Sequence, residues 1–206
     1  MNEPMNTFKE IEVGKNMSGI LFINACPRPH SRTLELAQHV LAKMNGKIQE
    51  IRLFEECPAH LTWDTLQLRD RYVALKDFSH PMFRYAREFA EADEIVIAAP
   101  YWDMAFPAVL KNYLENVSVA GVTFRYSEKG IPNGLCHAKK LYYITTVGGY
   151  MGENDFGFSY IKALAEKLFG IENVMCICAE GLDISEDCAR EALEKAIRKI
   201  TDSKTM

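Results

Sequence analysis

Residues 18–44 read SGILFINACPRPHSRTLELAQHVLAKM. A short apolar run, GILFIN at 19–24, breaks into a loop with two prolines. The chain then resumes with Leu34, Leu36, Ala37, Val40, Leu41 and Met44 along one helical stripe. A nearly continuous apolar run of this length suits a strand covered on both faces. A buried strand handing over to an amphipathic helix is the opening unit of a βα repeat.

The rest of the chain repeats that unit. KIQEIRL (47–53), EIVIAA (94–99), KLYYITT (140–146) and NVMCICAE (173–180) read as four more strands. KIQEIRL alternates apolar and polar residues, as an edge or near-edge strand does. Helical periodicity fills the gaps at 34–44, 80–93, 107–119, 159–170 and 188–200. Gly170 stands where a helix C-terminal glycine belongs, and Ser185 with Glu186 and Asp187 reads as a helix start. The alternation predicts an α/β three-layer sandwich with right-handed crossovers. Two connections are long. The stretch after the second strand holds a further short helix around Trp63–Val73, and FRYSEKG in the 121–137 insertion starts a β-hairpin.

The 206 residues suffice for one α/β domain, expected over 17–206 after an N-terminal arm at 1–16. That arm is polar, without the hydrophobic centre of a secretory signal. A net charge of −4 gives no pull toward nucleic acid or an anionic membrane, and the apolar runs are too short to span a bilayer. The six cysteines form no C-x-x-C pair, so reduced thiols in a cytoplasm, packed as small buried residues, are expected. Cys176 and Cys178 share one strand face.

In open parallel sheets, ligands sit beyond the carboxyl ends of the strands. Three loops there carry chemistry. In PRPHSRT (27–33), Ser31 and Thr33 open a helix whose positive end is a natural phosphate site, with Arg28 adding charge. Ser31 as a plain N-cap is the other reading, and the loop alone does not choose. The loop contains no glycine, which disfavours both a Walker loop and a dinucleotide fingerprint. In the second loop, Tyr101 and Trp102 can line a flat ring system or pack onto a second subunit. In the third, TTVGGYMG (145–152), a glycine pair lets backbone N–H groups approach a ligand or makes a tight turn.

Taken together, PRPHSRT (27–33), AAPYWDMAFPAVLKNYLENVSVAGVTFRY (98–126), KK with ITTVGG (139–149) and AEG (179–181) resemble the flavodoxin-like NAD(P)H-dependent oxidoreductases. These are the FMN-dependent NADH-azoreductases and, more distantly, the NAD(P)H quinone reductases. The resemblance runs from about Met17 to the C-terminus. It implies a flavodoxin-like fold with a five-stranded parallel sheet in the order 2-1-3-4-5, and a homodimer. It implies FMN phosphate around Ser31, Arg32 and Thr33, and isoalloxazine at Pro100, Tyr101, Trp102, Asp103 and Met104. It also places Thr146, Val147, Gly148 and Gly149 over the pyrimidine side. It implies hydride passing from NADH or NADPH through FMN to a quinone, azo or similar small acceptor by a ping-pong sequence, with no catalytic side chain and no metal. An electron carrier or redox-responsive binding protein is the alternative. Three positions depart from the family pattern. Asp103 stands where asparagine is common, Val147 where arginine or another polar residue is, and Cys26 where serine is frequent. By loop position His30 and His137 are the nearest acid–base candidates, read as incidental, and Tyr126 and Tyr150 either shape the substrate pocket or pack at the surface or an interface.

Overall fold

The computed structural model describes residues 19–153 and 155–202. The expected arm at 1–16 lies outside these residues. In chain order the first half holds β1 (Gly19–Asn24), α1 (Arg32–Leu41), β2 (Lys47–Arg52), α2 (Leu53–Glu56), α3 (Trp63–Leu75), α4 (Arg84–Glu91) and β3 (Glu94–Ala98). The second half holds α5 (Ala108–Val117), β4 (Phe124–Tyr126), β5 (Pro132–Gly134), β6 (Lys140–Thr146), α6 (Phe156–Leu164), β7 (Asn173–Ala179) and α7 (Glu186–Asp202). The main sheet has five parallel strands in the order β2-β1-β3-β6-β7. This is the expected 2-1-3-4-5 arrangement, because β4 and β5 form a separate antiparallel hairpin inside the 121–137 insertion.

Strand alternation sorts the core into two layers. Ile23, Ile51, Ile95, Ile97, Leu141 and Tyr143 face Phe89, Leu110, Tyr113 and Ile161 from α4, α5 and α6. Ile20, Phe22, Val96, Tyr142 and Ile144 face Leu36, Ala37 and Val40 of α1 and Ala189 and Ala196 of α7. The three central strands are buried nearly throughout, as the continuous apolar runs require. The edges differ. In β2 Ile51 alone is buried, as its alternating sequence predicts. In β7 Ala179 alone is buried, although its sequence reads as fully apolar. An edge strand lacks a neighbour on one side, so its side chains keep solvent whatever their type.

That edge position corrects the reading of the cysteines. None of the six is fully buried, and Cys57 and Cys176 are exposed. Two helix starts also move. Pro107 takes the N-cap position of α5 rather than its first turn. α6 begins at Phe156, three residues before the expected start at 159, with Asp155 as its cap accepting the Phe158 N–H at 2.8 Å. Gly170 ends a π turn over Ala165–Phe169 with φ +78°, the left-handed C-terminal position expected of it. Ser185 accepts the Cys188 N–H at 3.1 Å and starts α7 as read. The expected helix after residue 62 is α3, which buries none of its residues. A reciprocal Thr62–Thr65 capping box holds its start instead.

Candidate functional site

The carboxyl ends of β1, β3 and β6 open into one cleft of about 370 Å³. Sequence order reverses between β1 and β3, so the loops leaving them diverge and leave a space. Eight of the expected site residues line it: Ser31, Arg32, Thr33, Pro100, Tyr101, Trp102, Thr146 and Gly148. Asp103, Met104, Val147 and Gly149 do not.

The first loop places the end of α1 at the cleft. Ser31 is extended at φ −80°, ψ 126° and its Oγ accepts the Leu34 N–H at 3.3 Å. The N-cap reading is therefore correct, and it leaves the cleft-facing role open. The first-turn amides of Arg32 and Thr33 belong to a helix end that favours negative charge. Thr33 is 1% exposed, and its hydroxyl meets that of Thr146 at 2.6 Å. That contact ties the first loop to the end of β6.

The second loop contains a turn its sequence does not announce. The Trp102 N–H donates to Ala105 O at 3.1 Å and the Ala105 N–H returns to Trp102 O at 2.8 Å. The two residues between them, Asp103 and Met104, sit at φ +49° and +68°. Positive φ at both central positions is the mirror-image hairpin turn that normally takes Asn-Gly. Asp103 and Met104 are thereby lifted to the exposed tip of the loop. Trp102, 41% exposed, is left at the cleft with its ring edge against Phe54. The Tyr101 N–H donates to Thr146 O at 3.1 Å and joins this loop also to the end of β6.

The third loop is zipped to a fourth, after β7. The Val147 N–H donates to Ala179 O, and the Leu182 and Asp183 N–H groups donate to Val147 O and Gly148 O. Val147 is buried, so its side chain takes no part in the cleft. A Cβ on Gly148 would lie 2.2 Å from Asp183 Oδ2, so glycine there is what lets Asp183 approach. Around Gly149 a Cβ would meet nothing within 4 Å. Arg32 Nη1 closes the ring of loops, donating to Leu182 O at 2.7 Å and Asp183 Oδ1 at 3.0 Å.

Leu182 and Asp183 were not legible as site residues. The neighbouring AEG carries part of the family resemblance, but the contact that brings Asp183 in depends on the packing of two strand-end loops. Pro27, Arg28 and His30 also line the cleft. His137 instead precedes β6, at the opposite end of the sheet. Tyr126 lies in the hairpin, and Tyr150 stands 75% exposed beside Gly181, neither lining the cleft. Burial pushes the Cys26 thiol, in the first loop, up to about 11.

A family model described as the flavodoxin-like fold matches residues 18–203. The chain belongs to that family. Among flavodoxin-like relatives, it is 36% identical to an FMN-dependent NADH:quinone oxidoreductase 2 of Clostridium acetobutylicum, covering 87% of this chain and 96% of that protein. It is 32% identical to an FMN-dependent NADH:quinone oxidoreductase of Coprothermobacter proteolyticus, covering 89% and 96%. The crystal structure of an azoreductase from Bacillus anthracis superposes with a TM-score of 0.76 at 25% identity, covering 89% of this chain and 97% of that one.

Proposed function

We propose that this protein is an FMN-dependent oxidoreductase that takes hydride from NADH or NADPH and delivers it to a quinone, azo or similar small acceptor. The observation that carries this reading is the cleft. An anion-favouring helix end and an aromatic loop face the same 370 Å³ space, in a chain 36% identical to an FMN-dependent NADH:quinone oxidoreductase 2. The cleft volume lies in the range of small-ligand pockets, roughly 300–1,000 Å³.

The residues present fit FMN. Its phosphate suits the Ser31–Thr33 end of α1, with Arg28 and Arg32 supplying positive charge. Its ring system suits the space between Pro100–Trp102 on one side and Thr146 and Gly148 on the other. Tyr101 and Trp102 give that space flat apolar surface. Asp103 and Met104 shape the loop from its tip rather than touching the cleft. One helix end provides for one phosphate group, which favours FMN over FAD.

Bound FMN supplies the hydride chemistry. The protein holds the ligand, excludes water from one side and offers N–H donors toward negative charge. Donor and acceptor would use the same open side of the cleft in turn, which gives ping-pong kinetics. Aromatic and aliphatic side chains stand exposed at the protein surface, among them Trp63, Met104, Tyr150, Phe156 and Ile184. Their exposure supports a homodimer. Among the described residues no helix is long and apolar enough to cross a membrane, and the near-balanced charge offers no nucleic-acid surface. A cytoplasmic enzyme is the reading that fits best.

The test is direct. Reconstituted protein should carry FMN on chromatography and consume NADH rapidly when a quinone is added. Protein that binds FMN yet consumes NADH no faster than free FMN is a carrier. Protein that binds no flavin removes the reading altogether. Sedimentation at micromolar concentration should show a dimer.

A further inference from the structure

The first loop turns away from the sheet at a buried polar side chain. Asn24 is the last residue of β1 and is 6% exposed. Its Oδ1 accepts the Cys26 N–H at 3.0 Å, and its Nδ2 donates to Glu50 Oε1 at 2.9 Å. Glu50 is held in turn by Arg52 Nε at 3.2 Å. On the other side, the Ala25 N–H continues the ladder to Ala98 O at 2.8 Å. The chain therefore stays on the sheet for one residue beyond the strand and then folds back over the Asn24 amide.

Everything after that point belongs to the cleft. Pro27, Arg28, His30 and Ser31 follow in sequence, and the Cys26 thiol lies beside the Ser31 hydroxyl. A buried amide can be satisfied in two orientations. Here Glu50 accepts and cannot donate when ionised, so Nδ2 must face it and Oδ1 must face the Cys26 N–H. A leucine of similar size would leave that N–H without its partner at the root of the loop.

We propose that Asn24, oriented by Glu50, is a positioning residue for phosphate recognition. It fixes where the loop leaves β1 and hence where Ser31 and the first turn of α1 present their donors. The proposal rests on the FMN reading above. Wild-type affinity for FMN tests that reading by itself, whereas the comparison below tests Asn24.

The measurement is affinity of the flavin-free protein for FMN and for riboflavin, which lacks the phosphate, followed by quenching of flavin fluorescence. Asn24→Leu should lower the preference for FMN over riboflavin roughly tenfold, about the loss of one buried hydrogen bond. Riboflavin affinity should change little by comparison, and the thermal midpoint should fall by a few degrees because the Cys26 N–H loses its partner in the folded protein. An unchanged preference overturns the proposal, and so does an equal loss for both flavins, which marks a purely structural role. Should Asn24→Leu fail to fold, a charge exchange gives the same decision. Asn24→Asp sets a carboxylate against Glu50 and should lose the preference. Adding Glu50→Gln supplies an amide donor to the new carboxylate and should restore it. A double variant no better than Asn24→Asp alone overturns the proposal.

Discussion

The cleft is built by two loops of opposite character. In the β1–α1 loop, local sequence and structure agree. Ser31 is a favoured N-cap, it caps, and the loop contains no described residue at positive φ. In the β3–α5 loop they disagree. Asp103 and Met104 occupy the left-handed region where glycine or asparagine is usual. The surrounding contacts hold the turn in spite of that. Tyr101 is fastened to Thr146, Trp102 and Ala105 exchange backbone hydrogen bonds, and Pro107 fixes the entry to α5. The first loop follows local preference, with its root anchored across the sheet through Asn24 and Glu50, and acts through charge. The second is set by its neighbours and acts through shape.

The strongest way to break this contrast is at Ser31. Ser31→Ala removes the cap and the hydroxyl together. We expect at least a tenfold loss of FMN affinity by titration, since a hydrogen bond to a charged group contributes about 1.5–3 kcal/mol. Thermal stability without flavin should fall by about 1 kcal/mol. Thr33→Val should change FMN affinity far less, because the Thr33 hydroxyl is committed to Thr146. Equal losses for the two variants would show that Thr33 turns toward the phosphate and that the loop is not set locally.

The opposite change is expected in the second loop. Asp103→Asn combined with Met104→Gly installs the residues its turn geometry favours. The pair should stabilise the fold by about 1–2 kcal/mol, read as a higher denaturation midpoint. Neither side chain lines the cleft, so FMN affinity should stay within twofold. No gain in stability would mean the turn is not strained. A large change in affinity would give Asp103 or Met104 a direct part in binding.

The smallest effect concerns the ion pair that joins the first loop to the fourth. Arg32 and Asp183 have side chains 45% and 76% exposed, so their pair contributes at most about 1 kcal/mol. Asp183→Asn should leave stability nearly unchanged. It should tighten FMN binding a few-fold in dilute buffer, because one carboxylate leaves the phosphate's surroundings. That gain should vanish in molar salt, where screening acts within about 3 Å. Weaker binding in dilute buffer would instead make the pair a clamp that preorganises Arg32.

The amino-acid sequence by itself determined the layered fold, the five parallel strands, the hairpin insertion and three of the loops at the cleft. Those features rest on short-range physics: apolar runs where strands are covered, 3.6-residue stripes where helices lie on them, and a serine or glycine where a helix begins or ends. Tertiary structure alone decided the rest. The exposure of Cys176 follows from the edge position of β7, which its apolar sequence does not reveal. The left-handed turn at Asp103 and Met104 follows from contacts on both sides that outweigh local preference. Asp183 reaches the cleft because the missing side chain of Gly148 leaves room for a carboxylate 35 residues away in sequence. Likewise Asn24 gains its meaning from Glu50 on the neighbouring strand. Pairings between distant residues depend on register and close approach, and a linear pattern of residue types carries neither.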